Sequence, residues 1–134
     1  MITRYLFVYG TLLPAHPPAE IARVVGKLRS LGNGWTRGRL YDFGDYPGAI
    51  FSGENLSKIV GQVYELMGSM NLLRELDKYE EFDERDPDKS LFVRKKRMVW
   101  LDNRRHLLAW VYEYNRDPSN GVLIPHGDDR RHKR

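Results

Sequence analysis

Arg4-Tyr5-Leu6-Phe7-Val8-Tyr9-Gly10-Thr11-Leu12 is the stretch on which the reading of this chain turns. Tyr5, Leu6, Phe7, Val8 and Tyr9 form an apolar run too short for a globular helix and of the right length for a strand. Aromatic and branched types dominate the run, as they do in strands buried on both faces. Such a strand belongs in the middle of a sheet. Gly10 then tolerates positive φ and lets a ligand approach the backbone closely. The N–H groups of Gly10, Thr11 and Leu12 are therefore candidates to hold an anion or a developing oxyanion.

Outward from that strand, Pro17 and Pro18 precede Ile21, Val24, Val25 and Leu28, the i, i+3, i+4, i+7 spacing of a helix face. This predicts a helix over residues 18–30, with proline in its first turn and Gly32 just past its end. Residues 31–34 read as a loop. They lack the Lys-Ser/Thr and the preceding strand that a phosphate loop needs. Residues 35–41 read as a strand, and Asp42-Phe43-Gly44-Asp45-Tyr46-Pro47-Gly48 is dense in turn formers. Strands are predicted over residues 49–51 and 59–66. Alternation over residues 91–101 and 105–114, with Asp102-Asn103 between, reads as a hairpin. Several short strands and two helices define an α+β class. They argue for a mainly antiparallel sheet or barrel with helices packed outside, not a βαβ design.

With 134 residues, 41% of them apolar and 12% aromatic, the chain has the size and composition of one ordinary globular domain. The domain is expected over residues 1–125, with residues 126–134 as a basic, flexible tail. That tail holds Arg130, Arg131, Lys133 and Arg134 against Asp128 and Asp129, half of the net charge of +4. The pI of 9.4 is thus partly a terminal effect and a poor argument for nucleic acid. No membrane span or signal-peptide pattern is evident, so a cytoplasmic location is the expectation. The absence of cysteine removes disulfides, thiolate metal sites and cysteine nucleophiles.

Other charged groups read as structural. Asp83, Glu84, Asp86 and Asp88 lack the glycine and closing glutamate of a calcium loop. Arg94-Lys95-Lys96-Arg97 falls in an alternating strand, which sends neighbours to opposite faces. His16, His106, His126 and His132 have no metal-ligand spacing. No metal or cofactor is expected, and no nucleic acid or membrane partner.

One glutamate stands out. A second helix is predicted over residues 69–81, with Ser69 or Asn71 as its N-cap. At ~100° per residue from Leu72, Leu76 falls near ~40°, Leu73 near ~100° and Tyr79 near ~−20°, so the apolar face centres near ~30°. Glu80 falls near ~80°, inside that face, and Glu81 near ~180°, facing solvent. A carboxylate turned toward a core loses hydration, which disfavours its charged form and suits it to proton transfer.

Five stretches carry a family resemblance. They are Tyr9-Gly10-Thr11-Leu12; Gly38-Arg39-Leu40-Tyr41-Asp42 with Tyr46-Pro47-Gly48-Ala49; Gly61-Gln62-Val63-Tyr64; Leu76-Asp77-Lys78-Tyr79-Glu80; and Ala109-Trp110-Val111-Tyr112. In this order, over about residues 4–115, the chain resembles the γ-glutamylcyclotransferase-like family, which includes AIG2-like proteins and γ-glutamylamine cyclotransferase. The resemblance implies an α+β fold, a small, mainly antiparallel (mixed) β-barrel with about two helices packed outside, and a substrate-binding loop at Tyr9, Gly10, Thr11 and Leu12. It implies Glu80 as the catalytic general acid/base, with Glu81 where many members carry glycine. Tyr46, Tyr112 and Tyr114 are the expected pocket lining. The implied reaction turns a γ-glutamyl amine or γ-glutamyl amino acid into 5-oxoproline and a free amine, without cofactor. A non-catalytic metabolite-binding module on the same fold is the alternative. Monomer and homodimer both remain open.

Overall fold

The computed structural model describes residues 4–9, 22–24, 26–44, 46–51, 57–66, 71–80, 82–125 and 127. Its strands are β1 (Tyr5–Val8), β2 (Leu28–Asp42), β3 (Pro47–Ile50), β4 (Ser57–Leu66), β5 (Phe92–Leu101), β6 (His106–Tyr114) and β7 (Val122–Leu123). Helix α1 (Asn71–Tyr79) lies between β4 and β5, residues 22–24 are also helical, and 3₁₀ turns occupy Pro87–Lys89 and Pro118–Asn120.

β1 is central, antiparallel to β4 and parallel to β6, with Leu6 opposite both Tyr64 and Trp110. The order β2-β4-β1-β6-β5 closes on itself where Gly34 and Trp35 of β2 pair with Leu101 and Trp100 of β5. The result is a five-stranded barrel of mixed direction, as expected. β3 and β7 extend from the far end of β2. The hairpin turn falls at Asp102 and Asn103, where the chain reverses between β5 and β6.

Residues 28–34 depart from expectation. Leu28, Arg29 and Ser30 are not helical but pair with Leu66, Glu65 and Tyr64, and β2 continues through the expected loop after a register shift between Ser30 and Gly32. The ten-residue β4 offers a long edge. Satisfying it with a ladder outweighs the helical spacing that Leu28 happens to complete. Gly34 belongs to the closing seam: a Cβ there would sit 2.7 Å from Val63 Cγ2 and 3.0 Å from the Trp100 carbonyl oxygen. Its lack of a side chain lets β4 and β5 both approach β2.

Alternation along β1 feeds two cores. Phe7 points into the barrel with Ile59, Val63, Val99, Ala109 and Val111. Leu6 and Val8 point outward, onto a second core with Tyr64, Tyr112, Val24 and the helix residues Leu72 and Leu76. Burying each such leucine contributes about 1.5–3 kcal/mol, which is what holds α1 against the barrel.

Candidate active site

β1 and β6 run parallel and end together. At that end Tyr9 follows β1, Tyr112 and Glu113 close β6, and the turn after α1 brings Glu80. The buried arc of α1 is wider than its leucines alone imply, because Asp77 is buried beside Leu72, Leu73 and Leu76. On the same ~100° rotation Asp77 lies near ~140°, so Glu80 near ~80° falls close to the middle of that arc. Glu80 is half-buried, and its N–H donates to the Leu76 carbonyl at 2.9 Å, continuing the helical bonding by one residue.

Two phenols feel the Glu80 charge. Burial, followed by the negative charge of Glu80, pushes the Tyr9 phenol well above its ordinary value, while the Ala49 N–H pulls the other way. Burial raises Tyr112 likewise, joined by the Asp77 carboxylate and then Glu80, with Arg94 opposing. Both phenols are neutral at physiological pH and available as hydrogen-bond donors. Tyr9 uses its proton on the Tyr112 carbonyl oxygen and accepts from Ala49 N at 3.2 Å. Tyr112 uses its own on Asp77 Oδ1 at 2.7 Å.

Three charged residues at this end, Asp77, Arg94 and Glu113, were not among the expected site residues. Asp77 also accepts from Arg94 Nε at 2.8 Å and Nη2 at 3.2 Å, a forked pair. Arg94 rests 4.3 Å from the Trp110 ring centroid and 5.6 Å from that of Phe82. Glu113, inside the barrel, accepts from Phe51 N at 2.6 Å and pairs with Lys95. Glu113 was legible in principle, since it shares the inward register of Ala109 and Val111. The partner of Asp77 lies 17 residues away on another element, and no local pattern announces it.

Among the remaining expected site residues, Tyr114 is buried and stacks on Phe43 with centroids 4.2 Å apart, and Tyr46 meets Phe92 edge-on at 5.9 Å. Both belong to the aromatic cluster beside the outer core. Gly10, Thr11, Leu12, Ser69 and Glu81 lie outside the described residues. The basic run is divided: Arg94 turns to Asp77, Lys95 to Glu113, and Lys96 sits 5.0 Å over Trp110. The acidic loop is internally bonded, with Asp83 capping Arg85 N at 3.0 Å and Asp86 beside Lys89 at 3.8 Å. Among the described residues no group of three His, Cys, Asp or Glu could hold a metal, and no helix is long and apolar enough to cross a membrane.

A closed mixed barrel with a half-buried glutamate beside two neutral phenols defines a small α+β protein with a partly desolvated carboxylate at one barrel end. The γ-glutamyl cyclotransferase, AIG2-like family matches residues 6–130, and the chain belongs to that family. It is 30% identical over 127 residues to a Methanocaldococcus jannaschii protein provisionally named a γ-glutamylcyclotransferase, covering 92% of this chain and 93% of the relative. Among solved structures, a mouse AIG2-like protein superposes with a TM-score of 0.67 at 19% identity, over 89% of this chain and 82% of its own. YkqA from Bacillus subtilis superposes with a TM-score of 0.72 at 22% identity, over 98% of this chain. This chain spans only 41% of YkqA. These two likenesses bear on the fold.

Proposed function

We propose that this chain is a cyclotransferase that converts a γ-glutamyl amine or γ-glutamyl amino acid to 5-oxoproline and a free amine, with Glu80 as general acid/base. The observation that carries the reading is the place of Glu80, half out of water, with its charge acting on Tyr9 at the end of β1. Tyr9 leads directly into Gly10, Thr11 and Leu12, whose N–H groups are assigned the substrate carboxylate or the tetrahedral oxyanion. Family membership supports the chemistry.

In this reaction the substrate's own α-amine attacks its γ-carbonyl. Glu80 takes a proton from the ammonium, the new C–N bond closes a five-membered ring, and Glu80 returns the proton to the nitrogen of the breaking amide. Ring closure within one molecule needs orientation rather than a covalent enzyme intermediate, and holding the substrate in the reactive conformer supplies that. Tyr9 and Tyr112, neutral and fixed, line the acid without competing for its proton.

Glu80→Gln is expected to abolish 5-oxoproline release across a panel of γ-glutamyl amines and amino acids while 5-oxoproline still binds. Retained turnover in Glu80→Gln, with loss in Glu81→Gln instead, would overturn the assignment. Ligand-induced thermal stabilisation without any product would point to a binding module.

A further inference from the structure

We infer that Asp77 is a positioning residue for Glu80, holding the last turn of α1 against β5 and β6 so that the acid faces the end of β1. The inference rests on the cyclotransferase reading above. Asp77 lies three residues before Glu80, is 7% exposed, and spends both carboxylate oxygens on Arg94 and one of them also on the Tyr112 hydroxyl. Arg94 is itself held between Trp110 and Phe82. Neither end of the pair has room to drift.

A desolvated ion pair is a poor source of net stability, because removing two charges from water consumes most of the attraction between them. The pair does supply direction. A forked guanidinium donates to a carboxylate in one plane only, which fixes the rotation of α1 about its axis. Rotation matters here because Glu80 leaves the helix one turn later and inherits that orientation. The turn is also closed around it: Glu80 N bonds the Leu76 carbonyl at 2.9 Å, and Phe82 N bonds the Asp77 carbonyl at 2.8 Å.

Tyr112 connects this clamp to the other half of the site. Its hydroxyl donates to Asp77 and its carbonyl oxygen accepts from Tyr9. A continuous path therefore runs from the helix end through β6 to the residue that precedes Gly10. Misplacement of a reacting group by about 1 Å costs about 100-fold in rate, so a small rotation of α1 is enough to be seen in turnover.

The test uses the full chain with Tyr112→Phe, which removes one hydroxyl and no charge, and Asp77→Asn, which unbalances the fork. Both are expected to lower kcat for 5-oxoproline release by about 10-fold or more while KM stays within about 2-fold, the pattern of a lost transition-state interaction. Unchanged kcat overturns the inference. So does kcat that returns to the wild-type value when each variant is assayed at the same margin below its own Tm, since that is the behaviour of a stability defect. A second readout needs no substrate: the Cζ resonance of Tyr9 in ¹³C-tyrosine-labelled protein is expected to move in Asp77→Asn and in Tyr112→Phe in the direction it moves in Glu80→Gln. A Tyr9 resonance left in place overturns the positioning role. If the wild-type protein forms no 5-oxoproline from any γ-glutamyl compound, the cyclotransferase reading fails, and the Tyr9 resonance still decides whether Asp77 places Glu80.

Discussion

Glu113 receives the main-chain N–H of Phe51 at 2.6 Å, so a carboxylate from the last barrel strand closes the outer edge of β3. Among the described residues β3 pairs with β2 on one side only. Along its other side Ala49 N finds the Tyr9 hydroxyl, and just past its end Phe51 N finds Glu113. Glu113→Ala would leave a buried N–H without an acceptor and Lys95 without its partner, at a cost of about 2 kcal/mol or more. Glu113→Gln keeps an acceptor and should lose less. Urea denaturation of the two variants checks the order, and equal losses would mean that the charge rather than the acceptor matters.

Gly61 adjoins Gln62, the partner of Val8 in the β1–β4 ladder, and approaches β1 so closely that an added Cβ would run into the Val8 carbonyl oxygen and lie 2.9 Å from Phe7 Cζ. A side-chain tip can rotate away from such a clash, whereas a carbonyl engaged in the sheet cannot. Gly61→Ala is therefore expected to destabilise by about 1–3 kcal/mol, through a widened β1–β4 spacing. Hydrogen exchange should show faster opening at Phe7 and Val63 than at Val99. A neutral Gly61→Ala would show that the ladder is looser than its geometry implies.

What could be read from the sequence depended on how far apart the cooperating residues lie. β4, β5 and β6 were legible because alternation is local, and the partly buried position of Glu80 was legible because rotation along one helix is local. Leu28 misled because it completes a helical spacing by chance while its backbone partner is Leu66. The short β7 carries no alternation of its own and exists because Tyr41 and Asp42 lend it an edge. Asp77 fell between Leu73 and solvent on the helical wheel, and only Arg94 and Tyr112, on two other strands, reveal that it faces inward.

Tyr64 is 1% exposed and its hydroxyl has no hydrogen-bond partner among the described residues. Removing such a hydroxyl relieves a desolvated polar group, so Tyr64→Phe is expected to gain about 1 kcal/mol at neutral pH. Burial also pushes this phenol up to about 12. An unfolded tyrosine releases its proton near ~10, so above that pH the unfolded chain binds fewer protons than the folded one. The resulting stability is fully present below that pH and drains away as pH rises toward the folded value. Tyr64→Phe should flatten this alkaline limb, and Tyr9 and Tyr112 should preserve part of it, because both are raised as well. Urea titrations from neutral to alkaline pH measure both effects, and a less stable Phe variant at neutral pH would show that the hydroxyl has a partner in solution.

Arg94 and Asp77 separate stability from placement. The Arg94 and Asp77 side chains are 9% and 10% exposed, so Arg94→Met strands a carboxylate in the core with, among the described residues, the Tyr112 hydroxyl alone to answer it. Losing one member of a buried pair costs about 3–5 kcal/mol. Replacing the whole set, Asp77→Leu with Arg94→Met and Tyr112→Phe, removes every group that needs a partner and fills the same space with apolar atoms. That combination is expected to recover most of the loss, because a buried pair exchanged for packed side chains of similar volume is neutral or better. Chemical denaturation of the single and triple variants decides it. A triple variant no more stable than Arg94→Met would mean that the ion pair stabilises the fold outright, and the case for a directional role would have to stand on kinetics alone.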